Sequence, residues 1–215
     1  MGFYKKLLKT ILKKVFGSFS SIVYDRAVFL FRKLRGGYFS LNNLDRKLEK
    51  YVNYDNGFFV ELGANDGVNQ SNSLYFELKR NWSGVLVEPS PHNYQKCRAQ
   101  RSRKNTFFCN ACVSFDYTEK YVDMKYADLM TMSENLDLDL VDKDIHINLA
   151  KKYLKNEETI FSFGSLAKPL NKILEDADAP ELIDFLSLDV EGAELEVLKG
   201  INFNQFKFKF ILIEV

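Results

Sequence analysis

Between Glu61 and Gly67 the chain reads Glu-Leu-Gly-Ala-Asn-Asp-Gly, two glycines four apart with only small or polar residues between them. Such a turn lets a backbone approach a ligand closely, and the apolar run Phe59, Val60, Leu62 leads into it as a buried strand would. Past the second glycine, Ser71 and Asn72 can cap a helix that continues through Leu74, Tyr75, Phe76 and Leu78. Strand, glycine turn and helix form the arrangement that cradles a nucleotide-like ligand at a strand's carboxyl end. The spacing G-x-G-x-x-G of dinucleotide sites is absent. A second acid, Glu88, ends the apolar run Val85-Leu86-Val87 and stands 21 positions after Gly67. In doubly wound folds an acid about 20 residues past the glycine loop accepts hydrogen bonds from ribose hydroxyls. Asn110, Ala111 and Cys112 follow the apolar centre of a third strand expected over 105–113, where an adenine ring would lie. Asp189 closes the fully apolar strand Leu182–Leu188 and is followed by Glu191, and Glu214 lies near the end of a last strand over 208–215. A carboxylate there can act as a general base on a hydroxyl, or with its neighbours ligate a divalent ion. The competing role for Asp189 is a cap for the helix beginning near Gly192. His146, alone among Ile145 and Ile147, is a second candidate for proton transfer, against a purely structural role.

The elements that must position these residues alternate strand and helix on short connections, which implies a mostly parallel sheet with helices on both faces. Right-handed crossovers then bring all the strand carboxyl ends to one edge. There the sequence gathers Gly63–Gly67, Glu88, Asn110–Cys112, Asp189 with Glu191, and Glu214. Residues 3–19 read as a basic amphipathic helix, with Leu7, Leu8, Ile11, Leu12 and Val15 at helical spacing and lysines beside or opposite them. That pattern suits either an anionic membrane face or packing against protein. Residues 20–34 continue as a mixed apolar and basic helix, Gly36-Gly37 marks a boundary, and a further helix is expected over 43–51. The chain therefore divides into a helical extension, 1–52, and a ligand-binding domain, 53–215. Glu119–Met124 is expected as an edge strand and Leu166–Ala177 as a helix. The looser stretch 125–164 has the size of an insertion that builds an acceptor pocket.

The 215 residues carry a formal net charge of +1, which gives no general case for nucleic-acid binding. Three cysteines, Cys97, Cys109 and Cys112, are too few and odd in number for a disulfide framework and suit a reducing compartment. Cys109-x-x-Cys112 has no second pair or paired histidine to complete a zinc site, so strand cysteines are expected. Charges interrupt every apolar stretch before it reaches membrane-spanning length, and no signal-peptide core is evident. A cytoplasmic protein, with peripheral contact at the membrane's inner face through 3–19, is the expectation.

Three blocks, Phe59–Gly67, Val87-Glu88-Pro89-Ser90-Pro91-His92-Asn93-Tyr94 and Ile183–Gly200 (with Leu188-Asp189-Val190-Glu191-Gly192-Ala193-Glu194 at its centre), closely resemble the FkbM family of S-adenosylmethionine-dependent methyltransferases. The resemblance runs from about Gly57 onward. It implies a class I methyltransferase (Rossmann-like) α/β fold and methyl transfer to oxygen, often a sugar or polyketide hydroxyl, in bacteria frequently alongside surface-polysaccharide synthesis. Glu61, Gly63, Ala64, Asn65, Asp66, Gly67 and Glu88 match the family's cofactor-binding pattern, and Asp189 with Glu191 its acidic strand end. Asn72 and Asn110–Cys112 join the cofactor set by position, and Asp189, Glu191 and Glu214 form the expected metal set. Class I enzymes usually continue into a helix and an antiparallel hairpin, which is expected to be missing after Val215. A partner, for example a second copy of the chain, would then cover the open edge. The alternative to an enzyme is a catalytically silent scaffold that retains the fold.

Overall fold

The computed structural model describes residues 37–136, 142–152, 154 and 159–214. The chain separates into two compact units, Met1–Tyr38 and Phe39–Val215. The amphipathic helix expected over 3–19 and its continuation to 34 lie outside the described residues. The second unit opens with a 3-10 turn, Leu41–Asn43, and a short helix, α1 (Leu44–Leu48). The buried Asp45 carboxylate fixes this start by accepting the backbone N–H groups of Phe39, Ser40 and Arg46. Phe39 and Val52 are buried with the rest of that unit.

The strands β1 (Phe58–Leu62), β2 (Ser83–Val87), β3 (Thr106–Phe108), β8 (Leu182–Leu188) and β9 (Lys207–Ile213) form a five-stranded sheet in the order β3-β2-β1-β8-β9. Every pairing in it is parallel. Burial explains the composition of the central strands. All but the first residue of β1, β2 and β8 is buried, as expected where helices cover both faces of a sheet. Val60, Leu62, Val85, Val87, Leu186 and Leu188 build the main core with Leu170, Ile173 and Leu174 of α5 (Leu170–Asp176). The helices α2 (Leu74–Arg80) and α3 (Pro91–Gln100) follow β1 and β2, and α6 (Glu194–Leu198) follows β8. Pro91 at the first turn of α3 suits a position whose N–H has no intrahelical partner.

A second sheet, in the order β4-β7-β5-β6, is built from β4 (Ala111–Val113), β5 (Tyr121–Tyr126), β6 (Met132–Ser133) and β7 (Phe161–Pro169). It corrects three sequence expectations. The single strand expected over 105–113 is two strands, because β3 pairs with β2 whereas β4 pairs with β7, and the chain changes sheets at Cys109-Asn110. The strand expected at an edge near 119–124 is interior, flanked by β6 and β7. The helix expected from Leu166 begins at Leu170, since residues 161–169 are held as strand by β5 and β4. The remaining helix, α4 (Lys143–Ala150), is capped by Asp142, whose carboxylate accepts the N–H groups of Asp144 and Ile145.

A Cβ on Gly84 in β2 would fall 1.9 Å from the Phe59 carbonyl oxygen, whereas one on Gly164 in β7 meets nothing nearer than 3.8 Å. Gly84→Ala should lower unfolding free energy by about 1–3 kcal/mol or more, and Gly164→Ala by less than about 0.5 kcal/mol. Urea unfolding with an unchanged slope would read both, and equal midpoints would contradict the close approach.

Candidate active site

The carboxyl ends of β1, β2 and β8 open into a cavity of about 290 Å³. Its first wall is the turn after β1. Gly63 has φ +73°, and a Cβ there would lie 1.9 Å from the Asp189 carbonyl oxygen, so this close approach of the β1 and β8 ends requires glycine. Asn65 follows at φ +45° and donates its backbone N–H to Glu88 Oε2 over 2.8 Å. Asp66 folds back on the turn, its Oδ1 accepting the N–H groups of Val68 (2.9 Å) and Asn69 (2.8 Å). Gly67 packs against Cys97 and Arg101, where a side chain would clash. Ser73 occupies the N-cap position of helix α2 without a side-chain cap bond, and the expected Ser71 takes the first helical N–H, its Oγ accepting from Leu74 at 3.1 Å.

Of the residues expected to hold a ligand, Glu61, Gly63, Ala64, Asn65, Asn72, Glu88, Asn110, Ala111 and Cys112 line this cavity, and Asp66 and Gly67 do not. Those two shape the turn from behind. Glu61 is buried and its oxygens are engaged: Oε1 accepts the Asn72 N–H, and Oε2 accepts from Ser71, Ser73 and Arg101. It thus holds the loop. Glu88 is buried, with Oε1 accepting the Ser90 N–H at 2.9 Å, and burial pushes its carboxyl up to about 7. Asn72 donates through Nδ2 to Ser187 Oγ (3.0 Å), while its buried Oδ1 has no hydrogen-bond partner among the described residues.

The opposite wall carries Asp189, Glu191 and Glu214. Asp189 does not cap α6. The helix has Ala193 at its N-cap with no side-chain cap bond, and in the turn before it Glu194 Oε1 accepts the N–H groups of Val190 and Gly192, at 3.0 and 3.3 Å. Burial, a hydrogen bond that the protonated Asp189 donates to Glu214, and the charges of Glu214 and Glu191 push Asp189 up to about 9. Burial and the nearby carboxylates push Glu191 up to about 8. Among the described residues no group of three or more His, Cys, Asp or Glu is arranged to hold a metal ion. The expectation of a divalent ion on Asp189, Glu191 and Glu214 is therefore not supported; Asp189 and Glu214 face each other as hydrogen-bonded carboxyls.

His146 does not line the cavity. It lies behind the wall, with Nε2 3.0 Å from the Met130 carbonyl oxygen and 3.6 Å from Glu191 Oε2. Sequence reading missed the rest of that wall: Met124, the 3-10 turn Asp128–Met130, Thr131, Ser133 and Leu136. These come from the second sheet, whose separate existence no local pattern announces. Ser133 Oγ is buried without a partner among the described residues. Four non-glycine residues lining the cavity, Asn65, Gln70, Asp128 and Glu191, have positive φ. Such backbone conformations cost energy and gather where a site is shaped.

The family model for the methyltransferase FkbM domain matches residues 61–215. Comparison with curated proteins and with solved structures finds no significant match.

The raised carboxyls make stability depend on pH. A folded group with a pKa above its unfolded value binds its proton more tightly in the native state, so its contribution is full below the ordinary carboxylate range and is lost as pH rises through the folded value. For Glu191 and Asp189 that loss is complete only beyond about 8 and about 9. The melting temperature of the ligand-free protein should fall between about pH 5 and about pH 9, and Asp189→Asn should flatten the fall. An unchanged slope in that variant would contradict the assignment.

Proposed function

The chain belongs to the methyltransferase FkbM domain family, and from that membership we propose that it transfers a methyl group from S-adenosylmethionine to a hydroxyl oxygen, in a sugar of a surface polysaccharide or a related natural product. The observation that carries the reading is the pairing, across one cavity, of the Gly63–Asn72 turn and Glu88 with the Asp189 carboxyl. Three features of that cavity suit the cofactor. Gly63 leaves the backbone bare at the strand ends, the Asn72 Oδ1 and Ser133 Oγ atoms await partners, and Glu88 is fixed at the end of β2 by two backbone N–H groups. The volume, about 290 Å³, is close to the lower end of small-ligand pockets, roughly 300 Å³.

Bound, S-adenosylmethionine supplies an electrophilic methyl on a sulfonium. The chain's residues then have to orient and deprotonate. Glu88 would hold the ribose hydroxyls, and Asn72 would hold the amino-acid portion. The turn at Gly63–Asn65 excludes water from the strand ends. Asp189 takes the proton of the acceptor hydroxyl, a step for which a positioned base contributes about 10²–10⁴-fold. Its pKa, pushed up to about 9, makes it a strong base that is increasingly ionised as pH rises. His146 contributes at one remove, by holding the Met130 carbonyl beside the cavity wall.

Among the described residues no helix is long and apolar enough to cross a membrane. The proposal includes a cytoplasmic location and a basic helix over 3–19 that touches anionic membrane from the inner face. Association of two chains along the exposed edge of β9 belongs to the same reading.

Calorimetry with S-adenosylmethionine tests the proposal first: no binding leaves the silent scaffold. Given binding, Asp189→Asn should reduce turnover by about 10²-fold or more with cofactor affinity within about threefold, and wild-type turnover should rise with pH toward about 9. Normal turnover in the variant, measured with labelled methyl donor and candidate glycans, would remove Asp189 as the base. Removal of residues 1–20 should abolish co-sedimentation with anionic vesicles; unchanged co-sedimentation would end the membrane reading.

A further inference from the structure

Building on the cofactor reading above, we infer that Arg101, which does not itself line the cavity, is the positioning residue that sets Asn72 for its ligand. Arg101 follows the last turn of α3, and its side chain is completely buried. Its guanidinium joins four parts of the site at once. Nη1 donates to Glu61 Oε2, to the Gly67 carbonyl oxygen and to Ser71 Oγ, each at 3.1 Å. Nη2 donates to Ser73 Oγ at 2.8 Å, and Nε to Glu77 Oε2 at 2.8 Å. One planar group thereby ties β1, both ends of the loop 67–73 and helix α2 together. The guanidinium carbon also lies 5.3 Å from the centroid of the Phe59 ring, which fixes its plane.

The path from Arg101 to the cavity is short. Arg101 and the two serines hold Glu61 Oε2, and this aims the other oxygen, Oε1, at the Asn72 N–H 2.8 Å away. Asn72 in turn lines the cavity, steadied by the Ser187 hydroxyl, with its Oδ1 buried and without a hydrogen-bond partner among the described residues. A lysine at 101 would keep one positive charge between Glu61 and Glu77, yet it has no fork with which to span strand, loop and helix together.

Two measurements on the full chain test this. Hydrogen exchange on the ligand-free protein reads the positioning itself: Arg101→Lys should speed exchange of the Asn72 amide about tenfold, whereas the core variant Leu174→Ala, taken as a stability control, should not single that amide out. Calorimetry with S-adenosylmethionine reads the consequence. Arg101→Lys should weaken binding about tenfold in the wild-type background and less than about twofold when Asn72→Ala is present, since the two act on one contact. Unchanged Asn72 exchange, an equal penalty in both backgrounds, or an equal loss of affinity in Leu174→Ala would each overturn the inference. Should Arg101→Lys fail to fold, Ser73→Ala removes one partner of the guanidinium and one of Glu61 while leaving the charges paired. It should weaken binding about threefold and only when Asn72 is intact; unaltered affinity would overturn the inference. If the wild-type chain does not bind S-adenosylmethionine, the function proposed above falls, and the exchange measurement alone decides the role of Arg101.

Discussion

Strands β1 and β8 run side by side in parallel and are brought so close at their carboxyl ends that the Asp189 carbonyl occupies the space a side chain at residue 63 would need. Most of the site follows from that contact. With glycine at 63 in a left-handed conformation, the chain leaves β1 sharply and can return over the strand ends. The turn then places the Asn65 N–H on Glu88 of β2, so three adjacent strands contribute to one cavity at neighbouring levels. On the far side, the same approach keeps Asp189 beside the turn and faces its carboxyl with Glu214 of the next strand. A parallel sheet with all its carboxyl ends on one edge makes this convergence possible, and Gly63 makes it close.

Buried charge is distributed unevenly around the cavity. Behind the turn, Glu61 and Glu77 share the single guanidinium of Arg101, at 3.1 and 2.8 Å. Such a pair contributes more to a unique loop geometry than to net stability, because removal of charges from water offsets their attraction. Across the cavity, Asp189, Glu191 and Glu214 have no lysine or arginine partner among the described salt bridges, and the imidazole of His146 lies 3.6 Å from Glu191 Oε2. Burial first, and the neighbouring carboxylates second, raise the proton affinity of Asp189 and Glu191. One half of the site is held by paired charge, and the other carries carboxyls that burial keeps protonated to higher pH.

The parallel sheet was legible in the sequence because β1, β2 and β8 are short apolar runs ending at glycine or an acid, and each is followed by a helix. Glu88, Asp189 and the Gly63–Gly67 turn could be placed from spacing alone. Glu61 was legible as a member of the turn, although its engagement with Arg101 was not, since that contact joins positions 40 residues apart. The second sheet was read as a loose insertion. β5 alternates buried and exposed residues like an edge strand, and its pairing with both β6 and β7 is set by partners distant in the chain. His146 sits in a helix whose pattern reveals burial without saying whether the ring meets a ligand or a carbonyl; here it meets Met130.

The second sheet enters after β3 at Cys109-Asn110 and returns to the main core at Pro169-Leu170. The polypeptide between those two junctions supplies a large share of one cavity wall and none of the turn after β1. Because the entropy of closing a loop grows only slowly with its length, that stretch can lengthen, shorten or be recomposed at small cost to the parallel sheet. The two opposing walls of the cavity thus belong to separable pieces of chain, so one can change in sequence while the other stays put.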